Sequence, residues 1–241
     1  MSTSIKIKES IETSNLKLPF DFETEKLLID LSAATNGSWT PHFNTSDYTG
    51  NWKAIALYSR GGEETNIFPM TPSKEAFMET NVLKSCPYFK KVIESFNCEV
   101  VSARLLNLSP GAEIKPHYDH GIGYQDGVFR IHVPITTNEE VKFILEGELL
   151  QMLPGECWYT NVSLTHSVTN KGNEDRVHLV IDCQRNDWSD AMFFSLAPES
   201  SFELIREEIL SDETIRMMLT GLKERNENPE LIQELQARLK G

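Results

Sequence analysis

Residues 100–183 read VVSARLLNLSPGAEIKPHYDHGIGYQDGVFRIHVPITTNEEVKFILEGELLQMLPGECWYTNVSLTHSVTNKGNEDRVHLVIDC. Short apolar or alternating runs recur here at intervals of roughly ten residues, the spacing of an all-β domain. They are Val100–Leu108, Glu113–His117, Val128–Ile135, Val141–Leu145, Leu149–Met152, Cys157–Tyr159, His166–Thr169 and Arg176–Cys183. Turn residues separate them: Pro110-Gly111, Thr137-Asn138, Glu146-Gly147, Pro154-Gly155 and Asn170–Asn173. Runs this short and close leave no room for crossover helices, so the pattern predicts an antiparallel sandwich or barrel.

Outward from this centre the pattern changes. The spacing of Phe22, Leu27, Leu28 and Leu31 predicts an amphipathic helix ended by Asn36-Gly37. Ala54–Tyr58 reads as a strand between loop-rich stretches, and helical turns fit Lys74 to Phe96 with an interruption near Pro87. Beyond Pro198, Phe202, Ile205 and Ile209, then Ile215, Met218, Leu219 and Leu222, then Leu231, Leu235 and Leu239 predict two or three helices, capped at Ser211-Asp212 and Asn226–Pro229. The expected organisation is one domain over residues 1–190, with its β core at about 53–185, and a helical appendage over 195–241 packed on it.

The chain has 241 residues, and its 36 acidic against 23 basic side chains give a net charge of −13. That balance argues against nucleic-acid or anionic-membrane partners. The N-terminal residues lack the apolar core of a secretion signal, and no run of eighteen apolar residues occurs, so a cytoplasmic location is expected. Cys86, Cys98, Cys157 and Cys183 form no Cys-x-x-Cys pair and read as buried or half-buried thiols.

Five of the six histidines fall in or beside the β segment. His117-Tyr118-Asp119 is an H-x-D tripeptide, and His166 follows 47 residues after Asp119. At a strand end, positions i and i+2 project to one side, so an imidazole and a carboxylate reach one metal ion and a distant strand supplies a third ligand. The tripeptide alone fits a polar strand end equally well; the third ligand and the neighbouring arginines favour the metal. Two neutral imidazoles and a carboxylate, with three positions left open, suit non-haem Fe(II) chemistry with O2 and a chelating cosubstrate.

Arg130-Ile131-His132 and Arg176-Val177-His178 are both Arg-x-His on predicted strands. Strand periodicity puts Arg130 with His132, and Arg176 with His178, on faces opposite Ile131, Val133, Val177 and Leu179. Pointing into a barrel, such pairs make a carboxylate site; pointing outward, they are a solvated face.

The combined pattern of L-x-P-G, H-x-D, R-I-H-V-P, G-E-x-W, a distal His and R-V-H-L over Arg104–Trp188 resembles the aspartyl/asparaginyl β-hydroxylase family of Fe(II)- and 2-oxoglutarate-dependent dioxygenases. Within that family it is similar to the bacterial hydroxylases of free proline. The resemblance implies a mainly β double-stranded β-helix, or jelly roll, with flanking N- and C-terminal helices. It also implies Fe(II) on His117, Asp119 and His166, with 2-oxoglutarate and O2 as cosubstrates and ascorbate as a stimulant. The family's arginine ten residues after the distal His, which binds the far carboxylate of 2-oxoglutarate, lands on Arg176. Arg130 and His132 would contact either the other end of 2-oxoglutarate or a substrate carboxylate. The carboxylate ligand, absent from the vertebrate peptidyl branch and from halogenating dioxygenases, is present as Asp119. Hydroxylation of a small substrate, a free amino acid or a metabolite made from one, is therefore expected. Hydroxylation of Asp or Asn residues in a protein, and a non-catalytic cupin-like binding module, are the alternatives.

Residues that would meet the substrate are less sharply marked. Arg104 fits a substrate carboxylate or an internal ion pair. Trp39, His42 and Asn44 fit a pocket mouth or a surface anchor. Trp158 reads as core, and His120 as a loop residue turned away from the metal.

Overall fold

The computed structural model describes residues 6–35, 39–68, 75–209, 212–225 and 228–239. In chain order the first half holds β1 (Lys6–Ser10), β2 (Asn15–Asp21), α1 (Thr24–Ala34), β3 (Thr40–Pro41), β4 (Tyr48–Thr49), β5 (Trp52–Arg60), β6 (Phe77–Glu79), α2 (Asn81–Lys84), α3 (Pro87–Glu94), β7 (Val100–Leu108) and β8 (Glu113–His117). The second holds β9 (Val128–Thr136), β10 (Val141–Leu145), β11 (Glu148–Leu150), β12 (Glu156–Thr160), β13 (His166–Asn170), β14 (Arg176–Gln184), α4 (Asp187–Phe194), β15 (Ile205–Ile209), α5 (Asp212–Arg225) and α6 (Pro229–Arg238). Contacts divide the chain into two compact units, residues 13–202 and residues 1–12 with 203–241.

In the larger unit, one antiparallel sheet has the order β2-β12-β9-β14-β7-β5-β3, with β6 on β5; a second has the order β11-β10-β13-β8-β4. Trp52 and Leu108 of the first sheet pack with Ile114, Phe143, Leu145 and Val168 of the second, so the two sheets share an interior. This is the jelly roll. Along β14 the residues alternate: Val177, Leu179, Ile181 and Cys183 join a core that also contains Leu27 of α1, Phe89 of α3 and Phe193 of α4. Arg176, His178 and Asp182 have the opposite parity and face the barrel interior, as strand geometry requires. Because β14 is covered on both faces, Arg176 through Cys183 are all buried.

Helices α1, α2, α3, α5 and α6 fall in the stretches predicted helical, α4 lies where no helix is predicted, and Phe77–Glu79, inside the stretch predicted helical from Lys74 to Phe96, is a strand because its backbone finds a partner in β5. Asp30 of α1 accepts hydrogen bonds from the backbone N–H groups of Tyr88 and Phe89 at 2.7 and 2.8 Å. A carboxylate thus satisfies the first turn of α3, whose start at Pro87 needs no N–H of its own. Asn186 and Ser189 form a reciprocal capping box on α4. At the Pro154-Gly155 turn, Gly155 has φ 84°, and an added Cβ would lie 2.4 Å from the Phe22 carbonyl oxygen. Only glycine lets β2 close on β12 there.

In the smaller unit, β1 and β15 are antiparallel, Lys6 opposite Ile209 and Ser10 opposite Ile205, and α5 packs with α6 through Ile215, Leu219 and Leu235. This corrects the helix predicted through Phe202, Ile205 and Ile209. An i, i+4 apolar spacing suits a helix, but here residues 205–209 find a backbone partner some two hundred positions away, which no local window reveals. The cap at Asn228 is present, its side chain accepting from Leu231 N–H. The helix stop at Asn36-Gly37, the helical start at Lys74, and Ser211, Asn226 and Glu227 in the predicted caps lie outside the described residues. All four cysteines are free, three of them buried. Among the described residues, no helix is long and apolar enough to cross a membrane.

Candidate active site

His117 ends β8 and His166 begins β13, and the register sets them directly opposite each other. Their ring centroids are 4.2 Å apart. The backbone N–H of Asp119 is fixed 2.7 Å from the Val162 carbonyl, which turns its side chain back toward the pair. One ligand atom from each of His117, Asp119 and His166 lies within 4.8 Å of the others. The Nδ1 atoms of His117 and His166 stand 2.8 and 3.0 Å from the carbonyls of Lys115 and Leu164. A carbonyl only accepts, so each Nδ1 carries the proton and each Nε2 keeps its lone pair free for a metal. Burial lowers the pKa of His166 to about 4, so its ring is neutral near pH 7.

Asp119 is oriented from behind. Its Oδ2 accepts from Arg130 Nη1 at 2.5 Å, while Oδ1 faces His117 Nε2 at 3.8 Å. Burial pushes the Asp119 carboxyl up, but Arg130 and the two imidazoles outweigh it, and the net shift is downward. Arg130 in turn reaches Asp182 through Nε at 2.7 Å and Nη2 at 3.1 Å. Asp182 also accepts from Arg104 Nη2 at 2.9 Å and Ser102 Oγ at 2.8 Å. Two arginines and two carboxylates therefore compensate one another in the interior, the condition under which buried charge is tolerated.

Arg176 has no such compensation. It is 2% exposed, and among the described residues it has no ion pair. Its Nη2 donates to His178 Nδ1 at 2.9 Å, its Nε meets no acceptor, and Phe143 lies 5.9 Å below its guanidinium. Burial lowers its pKa to about 9. His132 and His178 touch through Nδ1 atoms at 3.4 Å, and burial followed by the Arg176 charge holds both well below the ordinary imidazole value. His117, Asp119, His166, Arg130, His132 and Arg176 all line one cavity, walled by Trp52 and Phe143. A metal on the triad and an acid reaching Arg176 would share that space.

Residues 23–186, well over half of the chain, match the sequence profile of the aspartyl/asparaginyl beta-hydroxylases. The chain belongs to the aspartyl/asparaginyl beta-hydroxylase family. An L-proline cis-4-hydroxylase of Rhizobium meliloti (strain 1021) is 27% identical over 204 residues, covering 82% of this chain and 71% of that protein. The crystal structure of an oxidoreductase of the 2OG-Fe(II) oxygenase family from Burkholderia pseudomallei superposes with a TM-score of 0.50 at 13% identity. It covers 73% of this chain and 88% of its own, a likeness of fold.

Within this member of the family, the residues read as meeting the substrate separate into groups. His42 stacks on Trp52 at 3.4 Å between ring centroids, and Trp52 lies 6.4 Å from His117, so His42 stands one ring away from the triad. Burial, then the Arg104 charge, lowers the His42 pKa to about 3. Asn44 is used locally, donating to Asp47 at 2.5 Å and accepting from Ser46 at 2.9 Å. Trp39 packs against the helix-side core with the Lys53 ammonium 5.8 Å over its ring. Arg104 follows the ion-pair alternative, its Nη1 bonding the Ile67 carbonyl at 3.0 Å and its Nη2 bonding Asp182. Arg130, expected on a ligand carboxylate, meets two carboxylates of the chain itself. Trp158 packs in the interior and bonds Glu156, and His120 is exposed, edge-on to Tyr118 at 4.7 Å. Sequence reading missed Asp182, hidden in the run Leu179–Cys183; its shared parity with Arg176 and His178 was the available signal.

Proposed function

We propose that this chain is an Fe(II)- and 2-oxoglutarate-dependent dioxygenase that hydroxylates a free amino acid or a small metabolite made from one. The observation that carries the reading is a single cavity lined both by the His117, Asp119 and His166 ligand atoms and by the uncompensated Arg176. The residues fit the two groups. Two imidazole Nε2 lone pairs and one carboxylate oxygen make the facial set that Fe(II) takes, and a buried guanidinium without a counter-ion suits the far carboxylate of 2-oxoglutarate. Bound there, the iron and 2-oxoglutarate supply the O2 chemistry that places a hydroxyl group on a substrate C–H bond, with succinate and CO2 as the other products.

The chain's own contribution is placement. Lys115 and Leu164 carbonyls hold the imidazoles in one tautomer. Arg130 occupies the outer oxygen of Asp119, so a single oxygen is offered to the metal. Arg176, seated on His178 and over Phe143, fixes the depth of the cosubstrate. Trp52, Phe143 and Val162 make the walls apolar, which excludes water and strengthens every charge contact inside. The relative named L-proline cis-4-hydroxylase supports a free amino acid as the substrate.

The test screens free amino acids and peptides containing Asp or Asn, with Fe(II), ascorbate and 2-oxoglutarate, for a mass gain of one oxygen. Hydroxylation of a free amino acid is the expected result. Hydroxylation of a peptide with no free amino acid turned over would replace this reading with that of a protein hydroxylase.

A further inference from the structure

A second cavity, of about 480 Å³, opens between the β9–β10 turn and the β11–β12 turn. Val141, Phe143, Leu150 and Met152 form its apolar wall, Thr137, Asn138, Glu139 and Gln151 its polar side, and it ends on Arg176 and His178. Neither the iron ligands nor Arg130 belong to it; Phe143 and Arg176 line this cavity and the one around the triad alike.

At its inner end the cavity meets the guanidinium of Arg176, which among the described residues has no ion pair. Arg176 is 2% exposed with an unpartnered Nε, and His178 is 2% exposed with an unpartnered Nε2. Arg176 Nη2 can only donate, so His178 Nδ1 accepts from it. The neutral ring then carries its proton on Nε2, and His178 serves to hold the guanidinium in place. A buried cation without a counter-ion at the end of a largely apolar chamber of ligand size makes a carboxylate head-site with a hydrocarbon pocket. The mouth adds a selection of its own, because Glu139 sits there and repels a second negative charge.

We propose that this outer cavity binds an apolar monocarboxylic acid, its carboxylate on Arg176 and its hydrocarbon along Phe143, Leu150 and Met152. The proposal rests on the reading that Arg176 also takes the far carboxylate of 2-oxoglutarate. One guanidinium serves both ligands, so the acid excludes 2-oxoglutarate without occupying the substrate's place. The cavity thereby makes hydroxylation answer to the level of a carboxylic acid that is neither substrate nor cosubstrate.

The probes are octanoate, octanol and suberate, titrated by calorimetry into the metal-free protein, and 2-oxoglutarate titrated separately into the Mn(II)-loaded protein. Octanoate is expected to saturate below about 10 mM and to bind at least about tenfold tighter than octanol or suberate, the worth of one charge-assisted contact. Arg176→Met should lower octanoate affinity about tenfold or more. Glu139→Gln, a surface change that leaves the core intact, should bring suberate to within about threefold of octanoate. In the Mn(II) protein, octanoate should raise the apparent Kd of 2-oxoglutarate in proportion to its concentration. Equal binding of octanoate and octanol, an unchanged preference in Glu139→Gln, or 2-oxoglutarate binding that ignores octanoate would each overturn the proposal. Failure of octanoate with normal 2-oxoglutarate binding removes the outer site alone. Octanoate binding at Arg176 with no 2-oxoglutarate binding removes the cosubstrate reading instead.

Discussion

Asp182 holds Arg130 by two hydrogen bonds, Nε to Oδ1 at 2.7 Å and Nη2 to Oδ2 at 3.1 Å. The third arm of that guanidinium reaches Asp119, so a residue on β14 sets the angle of a carboxylate 63 positions earlier in the chain. Asp182 is a positioning residue in this account. Asp182→Asn should weaken Mn(II) binding about 10- to 100-fold, the usual effect of losing a partner behind a metal ligand. Ser102→Ala, which removes another bond to Asp182 and leaves Arg130 in place, should change Mn(II) affinity by less than about threefold. Electron paramagnetic resonance of Mn(II), read beside Tm, checks the pair. Equal Mn(II) affinities in two folded variants would leave Asp182 a purely structural residue.

The same carboxylate makes stability depend on pH with a defined sign. Burial pushes the Asp182 carboxyl up, but Arg130 and Arg104 pull it below the ordinary carboxylate value. A lowered folded-state pKa stabilises fully above the unfolded value of about 3.9, and that stabilisation is lost as pH falls through the folded value. The Tm gap between wild type and Asp182→Asn should therefore be widest near pH 6 and shrink below about pH 4. A gap independent of pH would mean that folding leaves the Asp182 pKa unshifted, and a gap that narrows as pH rises would mean that Asp182 is not ionised in the folded protein.

Arg176 is buried without a counter-ion, so replacing it should separate stability from binding. Arg176→Met is expected to keep or raise the Tm of the metal-free protein, because an unpaired buried charge is costly. The same change should weaken 2-oxoglutarate about 10- to 100-fold, the worth of a charge-assisted contact of roughly 1.5 to 3 kcal/mol. Calorimetry on the Mn(II)-loaded protein measures the second effect. Unchanged affinity would assign the far carboxylate to another residue.

Gly155 tests the seam between β2 and β12. A Cβ there would lie 2.4 Å from the Phe22 carbonyl oxygen at a φ of 84°, so Gly155→Ala combines a clash with a disfavoured backbone. A loss of about 2 kcal/mol corresponds to a Tm lower by roughly 4 to 8 °C in a protein of this size. An unaltered Tm would show that β2 moves aside freely.

Much of this was legible locally. Gly, Pro and Asn punctuate most of the strands from Val100 to Gln184, and strand period alone sets Arg176 and His178 on the face opposite Leu179, leaving the choice of inward face to the fold. The H-x-D spacing and the distal His166 marked the triad for the same reason: strand geometry fixes where i and i+2 point. What escaped depends on distant partners. β1 and β15 pair across some two hundred positions, and the apolar residues of β15, Ile205 and Ile209, are spaced i, i+4 as in a helix. Arg104 and Arg130 looked free to bind a ligand because nothing in their neighbourhoods announces Asp182, an acid inside an apolar run. The outer cavity is made by two turns that approach only in the folded barrel.

The most direct test of the whole account is succinate formed from 2-oxoglutarate by the purified protein with Fe(II) and O2, in paired reactions of wild type and His166→Ala. The account predicts succinate from wild type, accelerated by the hydroxylated amino acid, and none above the metal-free background from His166→Ala. Equal succinate from the two proteins, or none from iron-loaded wild type across the amino-acid panel, would contradict it.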